Sequence, residues 1–143
     1  MNQGREAAVR TGCFARLKEI APDEYPVAIA RGVPKWYEGR REMASAPSWK
    51  MLKMANEEYE DCMTRQLELL DPVQIAEALG EHAVLLCWEA PFKLCHRRRI
   101  AEWLETATGL VIPEVGFSRE ETMSYADMHL GLKPTPNRTL PML

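Results

Sequence analysis

Ala83-Val84-Leu85-Leu86-Cys87-Trp88 is a continuous apolar run between polar neighbours. A run of this length reads as a strand covered on both faces, the habit of central strands in parallel sheets. Upstream, Asp71-Pro72 supplies a helix cap and a proline for the first helical position, Ile75, Ala78 and Leu79 form an apolar stripe, and Gly80 ends the helix. Downstream, Glu89 to Leu94 reads as a loop, and Cys95 to Ala107 as a helix that buries Ile100, Trp103, Leu104 and Ala107 and stops at Gly109.

Further out, Val9 to Phe14 and Tyr25 to Ala30 carry β-branched and aromatic residues between turn signals and predict two more strands. The second leaves through Arg31-Gly32-Val33-Pro34. Lys35 to Ser48 is mixed in character and reads as an excursion across the end of the sheet, with Ser48 placed to cap a helical turn. Tyr59, Cys62, Met63, Gln66, Leu67 and Leu70 recur at helical spacing and predict a helix over Glu57 to Leu70. Leu110-Val111-Ile112 before Pro113 predicts a last short strand, and Ser118-Arg119-Glu120-Glu121 has the capping-box pattern of a helix running to about Leu130. Strands alternating with helices predict an α/β fold: a small, mostly parallel sheet with helices on both faces, in a Rossmann-like or flavodoxin-like three-layer arrangement. Residues 1–130 are expected to form one domain, followed by a proline-containing tail over 131–143.

The whole chain has 143 residues, 46% apolar and 27% charged, a size and balance that suit one globular core. Its apolar runs fall far short of the roughly 20 residues a membrane helix needs. The N-terminal residues contain no apolar segment of the secretory kind, so no membrane partner and a cytoplasmic address are expected. Cys13, Cys62, Cys87 and Cys95 are accordingly expected as thiols. A net charge of −3 excludes a global field for nucleic acid, although Lys93, Arg97, Arg98 and Arg99 form a local basic cluster.

Ligands in open α/β sheets gather beyond the carboxyl ends of the strands. Cys87 and Glu89 lie at such an end and project to the same side of an extended chain. Cys95 opens the next helix, where unpaired N–H groups and neighbouring cations favour a thiolate. His96 and Arg97 begin the helix's inward stripe, whereas Arg98 and Arg99 are assigned to its solvent face beside Glu102 and Glu105. An inward guanidinium needs a partner, so Arg97 is either a clamp on Glu89 or an anion receptor. Cys87 also suits simple burial, and Trp36 and Tyr59 suit core packing as well as a stacking wall. Zinc is weighed and not expected, because no Cys-x-x-Cys knuckle is present and the adjacent Cys95 and His96 chelate awkwardly. No phosphate-binding glycine loop, dinucleotide fingerprint or serine elbow occurs.

Ile29-Ala30-Arg31-Gly32-Val33-Pro34-Lys35-Trp36, Ala46-Pro47-Ser48, Glu58-Tyr59, and Leu85-Leu86-Cys87-Trp88-Glu89 followed by Cys95-His96-Arg97-Arg98 together resemble domain-of-unknown-function family 488. The resemblance spans roughly Val9 to Glu114, and the Cys-His-Arg block is its most specific part. It implies a compact α/β domain with shared polar residues on one side, and it brings no established reaction. Position by position it points to Arg31, Trp36, Ser48, Tyr59, Cys87, Glu89, Cys95, His96 and Arg97. Trp88 and Cys13 depart from the residues common at their positions in such relatives.

The resulting expectation is an enzyme acting on a small anionic or nucleotide-like substrate, free or within a nucleic acid, without a cofactor. Cys95, His96 and Glu89 are the candidate catalytic groups; Arg31, Arg97, Trp36, Ser48, Tyr59 and Cys87 are the candidate substrate contacts. Two alternatives compete: a binding module for nucleic acid or a modified base, and a structural polar cluster without catalysis.

Overall fold

The computed structural model of the chain describes residues 9–91 and 93–131. Four parallel strands form one sheet in the order β1-β4-β2-β3, with β1 at Arg10–Cys13, β2 at Tyr25–Ala28, β3 at Arg40–Arg41 and β4 at Ala83–Cys87. The fold is therefore α/β, with the apolar run at its centre. Every residue of β4 is buried, since the strand lies between β1 and β2 and has a packed core on each face. Tyr25 to Ala30 yields a shorter strand than the sequence predicts, and the two-residue β3 inside the supposed excursion was not foreseen. Tyr37 holds that edge by donating its hydroxyl to the Arg40 carbonyl at 2.5 Å.

The helices are α1 at Asn56–Glu68, α2 at Pro72–Leu79, α3 at His96–Thr108 and α4 at Tyr125–His129. Asp71 caps α2 by accepting from the Val73 and Gln74 amides, satisfying donors that a helix start otherwise leaves unpaired. Gly80 follows at φ 84°, ψ −163°, a region that only glycine enters without strain. Alternate residues of the central strands feed two cores. Val27, Ala83 and Leu85 join Met63, Leu67, Leu79, Ile100 and Leu104 of the helices. Ala28, Val84 and Leu86 join Phe14, Tyr37 and Val115, where the 3₁₀ segment Phe14–Glu19 supplies part of the cover.

Two expectations fail in the second half of the chain. Leu110 to Ile112 forms no strand, since the Ile112 amide donates to Glu105 and its carbonyl accepts from Arg98. The partner of β1 lies slightly later: Thr11 donates to the Pro113 carbonyl and accepts from the Val115 amide. The capping box at Ser118 and Glu121 does form, with both reciprocal hydrogen bonds. It opens a turn only, in which the Thr122 amide donates to the Ser118 carbonyl while the Thr122 hydroxyl accepts from the Glu114 amide, and α4 starts afresh under a Ser124 cap. The proline-containing tail, apart from Gly131, lies outside the described residues. Among the described residues no helix is long and apolar enough to cross a membrane.

The punctuation of α2 is testable. Asp71→Ala should cost about 1 kcal/mol through the lost cap. Gly80→Ala should cost about 1–3 kcal/mol, since a Cβ adds backbone strain and would run into the Tyr25 hydroxyl. Denaturant midpoints at unchanged slope would check both; a neutral Gly80→Ala would contradict the positive-φ stop.

Candidate active site

Beyond the carboxyl ends of β2 and β4 lies a cavity of about 640 Å³, the place where open parallel sheets gather ligands. Cys87, Cys95 and His96 line it together with Glu89, Arg31 and Tyr59. Ala30 to Val33 enter from the end of β2, Trp88 and Glu89 from β4, and Tyr59 and Glu60 from α1. Six residues singled out in the sequence thus meet at one place. Trp36 is outside the lining, packed edge-on against Phe14 at 6.4 Å between ring centroids. Ser48 is also outside it; its hydroxyl accepts from the Met51 amide at 3.1 Å and caps the turn Met51–Lys53.

His96 has a fixed role in hydrogen bonding. Its Nε2 lies 2.5 Å from the Ile29 carbonyl, and a carbonyl can only accept, so Nε2 carries the proton. Burial pushes the imidazole below its ordinary pKa, and the Arg97 charge acts in the same direction against the Ile29 hydrogen bond. The ring is therefore held neutral, and Nδ1 keeps its lone pair 4.0 Å from Cys95 Sγ. Cys95 is the helix N-cap in an extended conformation, φ −153° and ψ 144°, whereas His96 is the first residue of α3. That change of backbone at the helix start lets two adjacent residues aim at one point.

Cys87 and Cys95, expected as separate thiols, are joined by a disulfide across Cα atoms 7.4 Å apart. That span exceeds the roughly 4.4–6.8 Å usual for such a bridge. Cys13 and Cys62 are free.

Arg97 does not meet the Glu89 carboxylate. Its Nε and Nη2 donate to Glu114 at 3.1 and 2.8 Å, and its Nη1 donates to the Glu89 carbonyl at 2.7 Å and Cys87 Sγ at 3.1 Å. The Glu89 side chain stands exposed at the cavity wall. Arg97 is 1% exposed and spends its donors internally, on Glu114, the Glu89 carbonyl and Cys87 rather than on the Glu89 carboxylate named as the clamp's partner. Arg98 is corrected too: it is as buried as Arg97, with Nη1 donating to Thr11 at 3.0 Å and to the Ile112 carbonyl at 2.7 Å. Burial brings its pKa down to about 10. Arg99, also assigned to solvent, is half-buried, bonding Thr64 at 2.8 Å and pairing with Glu60 at 3.4 Å.

Several lining residues escaped the sequence reading. Trp49 and Trp88 form walls, and Trp88 is pinned by donating its indole N–H to the Gly32 carbonyl at 2.9 Å. A Cβ on Gly32 would stand 2.8 Å from the Trp49 ring, so glycine admits the close approach of that wall. Glu60 accepts from the Tyr125 hydroxyl across the cavity rim, and His129 stacks on Tyr125. Tyr59 is pushed up to about 12, chiefly by burial and then by the Glu60 charge, with Arg99 opposing. Arg31 gives Nε and Nη2 to the Pro47 and Ala46 carbonyls, at 3.2 and 3.0 Å, and so tethers the loop behind Trp49. Local periodicity carries no signal for Trp49, Glu60, Tyr125 and His129 as lining residues, since they come from separate loops and helices.

The two carboxylates offered to Arg97 by the chain can be separated by stability. Glu114→Ala should cost about 3–5 kcal/mol by leaving a buried guanidinium unpaired. Glu89→Ala should stay within about 0.5 kcal/mol. Equal effects in denaturant unfolding would contradict this assignment. Comparison of the chain with models of protein families, with curated proteins and with solved structures finds no match.

Proposed function

We propose that the protein, with its Cys87–Cys95 bridge reduced, is an enzyme acting on a small nucleotide-like molecule whose flat ring enters the cavity, with Cys95, His96 and Glu89 as its reactive groups. The observation that carries this reading is the neutral His96, its Nδ1 lone pair directed at Cys95 Sγ on the wall of a ligand-sized cavity. Trp49, Tyr59 and Trp88 offer aromatic faces on the same lining, and stacking on such faces is worth about 1–3 kcal/mol per base. Arg31 brings positive charge to that wall for a ligand's anionic group, a task from which Arg97 is withdrawn by Glu114. Glu89 is exposed at the same wall, where an acid/base group can exchange protons with solvent. Membership of domain-of-unknown-function family 488 belongs to this proposal, supported by the Cys87-Trp88-Glu89 and Cys95-His96-Arg97 blocks.

Nucleosides and nucleoside monophosphates should raise the melting temperature of the full chain, because a ligand bound only by the folded state stabilises it. Trp49 is 61% exposed, so Trp49→Ala should fold normally and lower the affinity by roughly 5- to 150-fold through lost stacking. No shift with any compound of this class, or an affinity indifferent to Trp49→Ala, would contradict the reading.

A further inference from the structure

We propose that in the reduced chain Cys87 Sγ, Cys95 Sγ and His96 Nδ1 form a three-ligand site for a soft divalent cation, zinc above all, whose fourth position opens into the cavity. This deepens the proposed function by naming the cofactor of the same site: with the cation bound, Cys95 and His96 act as its ligands, and that reading is relied on only for what the open position does.

Three observations converge on it. The three ligand atoms lie within 4.8 Å of one another, two of them joined in the disulfide, so once that bridge opens a single ion with bonds of about 2.0–2.3 Å can reach all three. His96 shows the arrangement typical of a metal-bound imidazole: one nitrogen donates to a backbone carbonyl, here that of Ile29, while the other faces the sulfurs with its lone pair. Both sulfurs also face positive groups: Arg97 Nη1 donates to Cys87 Sγ at 3.1 Å, and Cys95 is the N-cap of the thirteen-residue helix α3.

Backbone geometry agrees. The 7.4 Å between the Cys87 and Cys95 Cα atoms is wide for a disulfide, and two thiolates can instead share an intervening ion. Adjacent Cys95 and His96 can chelate together because the first is extended and the second helical. Charge also balances: two thiolates and a neutral imidazole around a divalent cation leave no net charge in a site where Cys87 and Cys95 are almost wholly buried. The joined and metal-bound states use the same two sulfurs, so they exclude each other. A phosphine reductant opens the bridge by delivering two electrons and becomes the phosphine oxide, with water supplying that oxygen and the two thiol protons. Cation binding then releases the two thiol protons. Three protein ligands with an open fourth position are the pattern of catalytic rather than structural zinc.

The test uses the full chain, purified with a phosphine reductant after growth in zinc-supplemented medium. Elemental analysis should find about one zinc per chain. Cobalt(II) added to metal-stripped reduced protein should give the intense visible bands of a tetrahedral thiolate site. Cys87→Ser and Cys95→Ser should each weaken cobalt binding roughly tenfold or more, while Cys62→Ser binds as wild type. Reduced wild-type protein that takes up neither metal overturns the proposal, and this measurement does not depend on the variants folding. Metal retained in full by the double variant Cys87→Ser/Cys95→Ser also overturns it, since the metal would then lie elsewhere. Nucleoside melting shifts on the metal-stripped samples separate the two readings: a shift without metal binding removes the metal site alone, and metal binding without a shift removes the nucleotide reading alone.

Discussion

The bidentate pair of Arg97 with Glu114 is the interaction on which the rest of the site depends. A buried guanidinium is costly when its donors go unused, and each nitrogen of Arg97 has a partner. Through Glu114 it ties the start of α3 to the segment that follows Pro113. Through the Glu89 carbonyl and Cys87 Sγ it ties the same helix start to the end of β4. Thr11 extends the network by donating to Glu114 at 2.6 Å and accepting from Arg98. Three separated parts of the chain thus converge where Cys95 and His96 stand.

This placement turns a common helix start into a chemical site. An N-cap sulfur with its neighbouring imidazole would be unremarkable on a free surface. Here Ile29 holds the imidazole ring, β4 supplies a second sulfur, and the loops after β2 and β4 leave open space above them. The polar network below is therefore structural, and the groups facing the cavity are the ones available for chemistry. The arginines named by the sequence divide along that line: Arg97 and Arg98 hold the foundation, and Arg31 lines the wall.

What could be read from the sequence was local. Ala83 to Cys87 announces the central strand by composition, and α2 announces both its ends through Asp71, Pro72 and Gly80. The convergence of Cys87, Glu89, Cys95 and His96 on one cavity follows from strand end and helix start alone. Non-local partnerships escaped. Glu114 sits behind Pro113 with nothing in its neighbourhood to mark it as the partner of Arg97. Arg98 was assigned to solvent because the stripe was drawn through the bulky Ile100, Trp103 and Leu104. Ala101 is completely buried, and it extends the buried surface of the helix to Arg98. Leu110 to Ile112 looked like a strand by composition, but two charged side chains had already claimed the backbone groups of Ile112 that a sheet would need.

The central claim is that His96 stands neutral with Nδ1 bare toward the two sulfurs. Long-range nitrogen–proton NMR correlation of the imidazole, on the reduced full chain at neutral pH, reads this state directly. The account predicts a single neutral tautomer with its proton on Nε2, fixed by the Ile29 carbonyl. A proton on Nδ1, or an imidazolium at neutral pH, would contradict it.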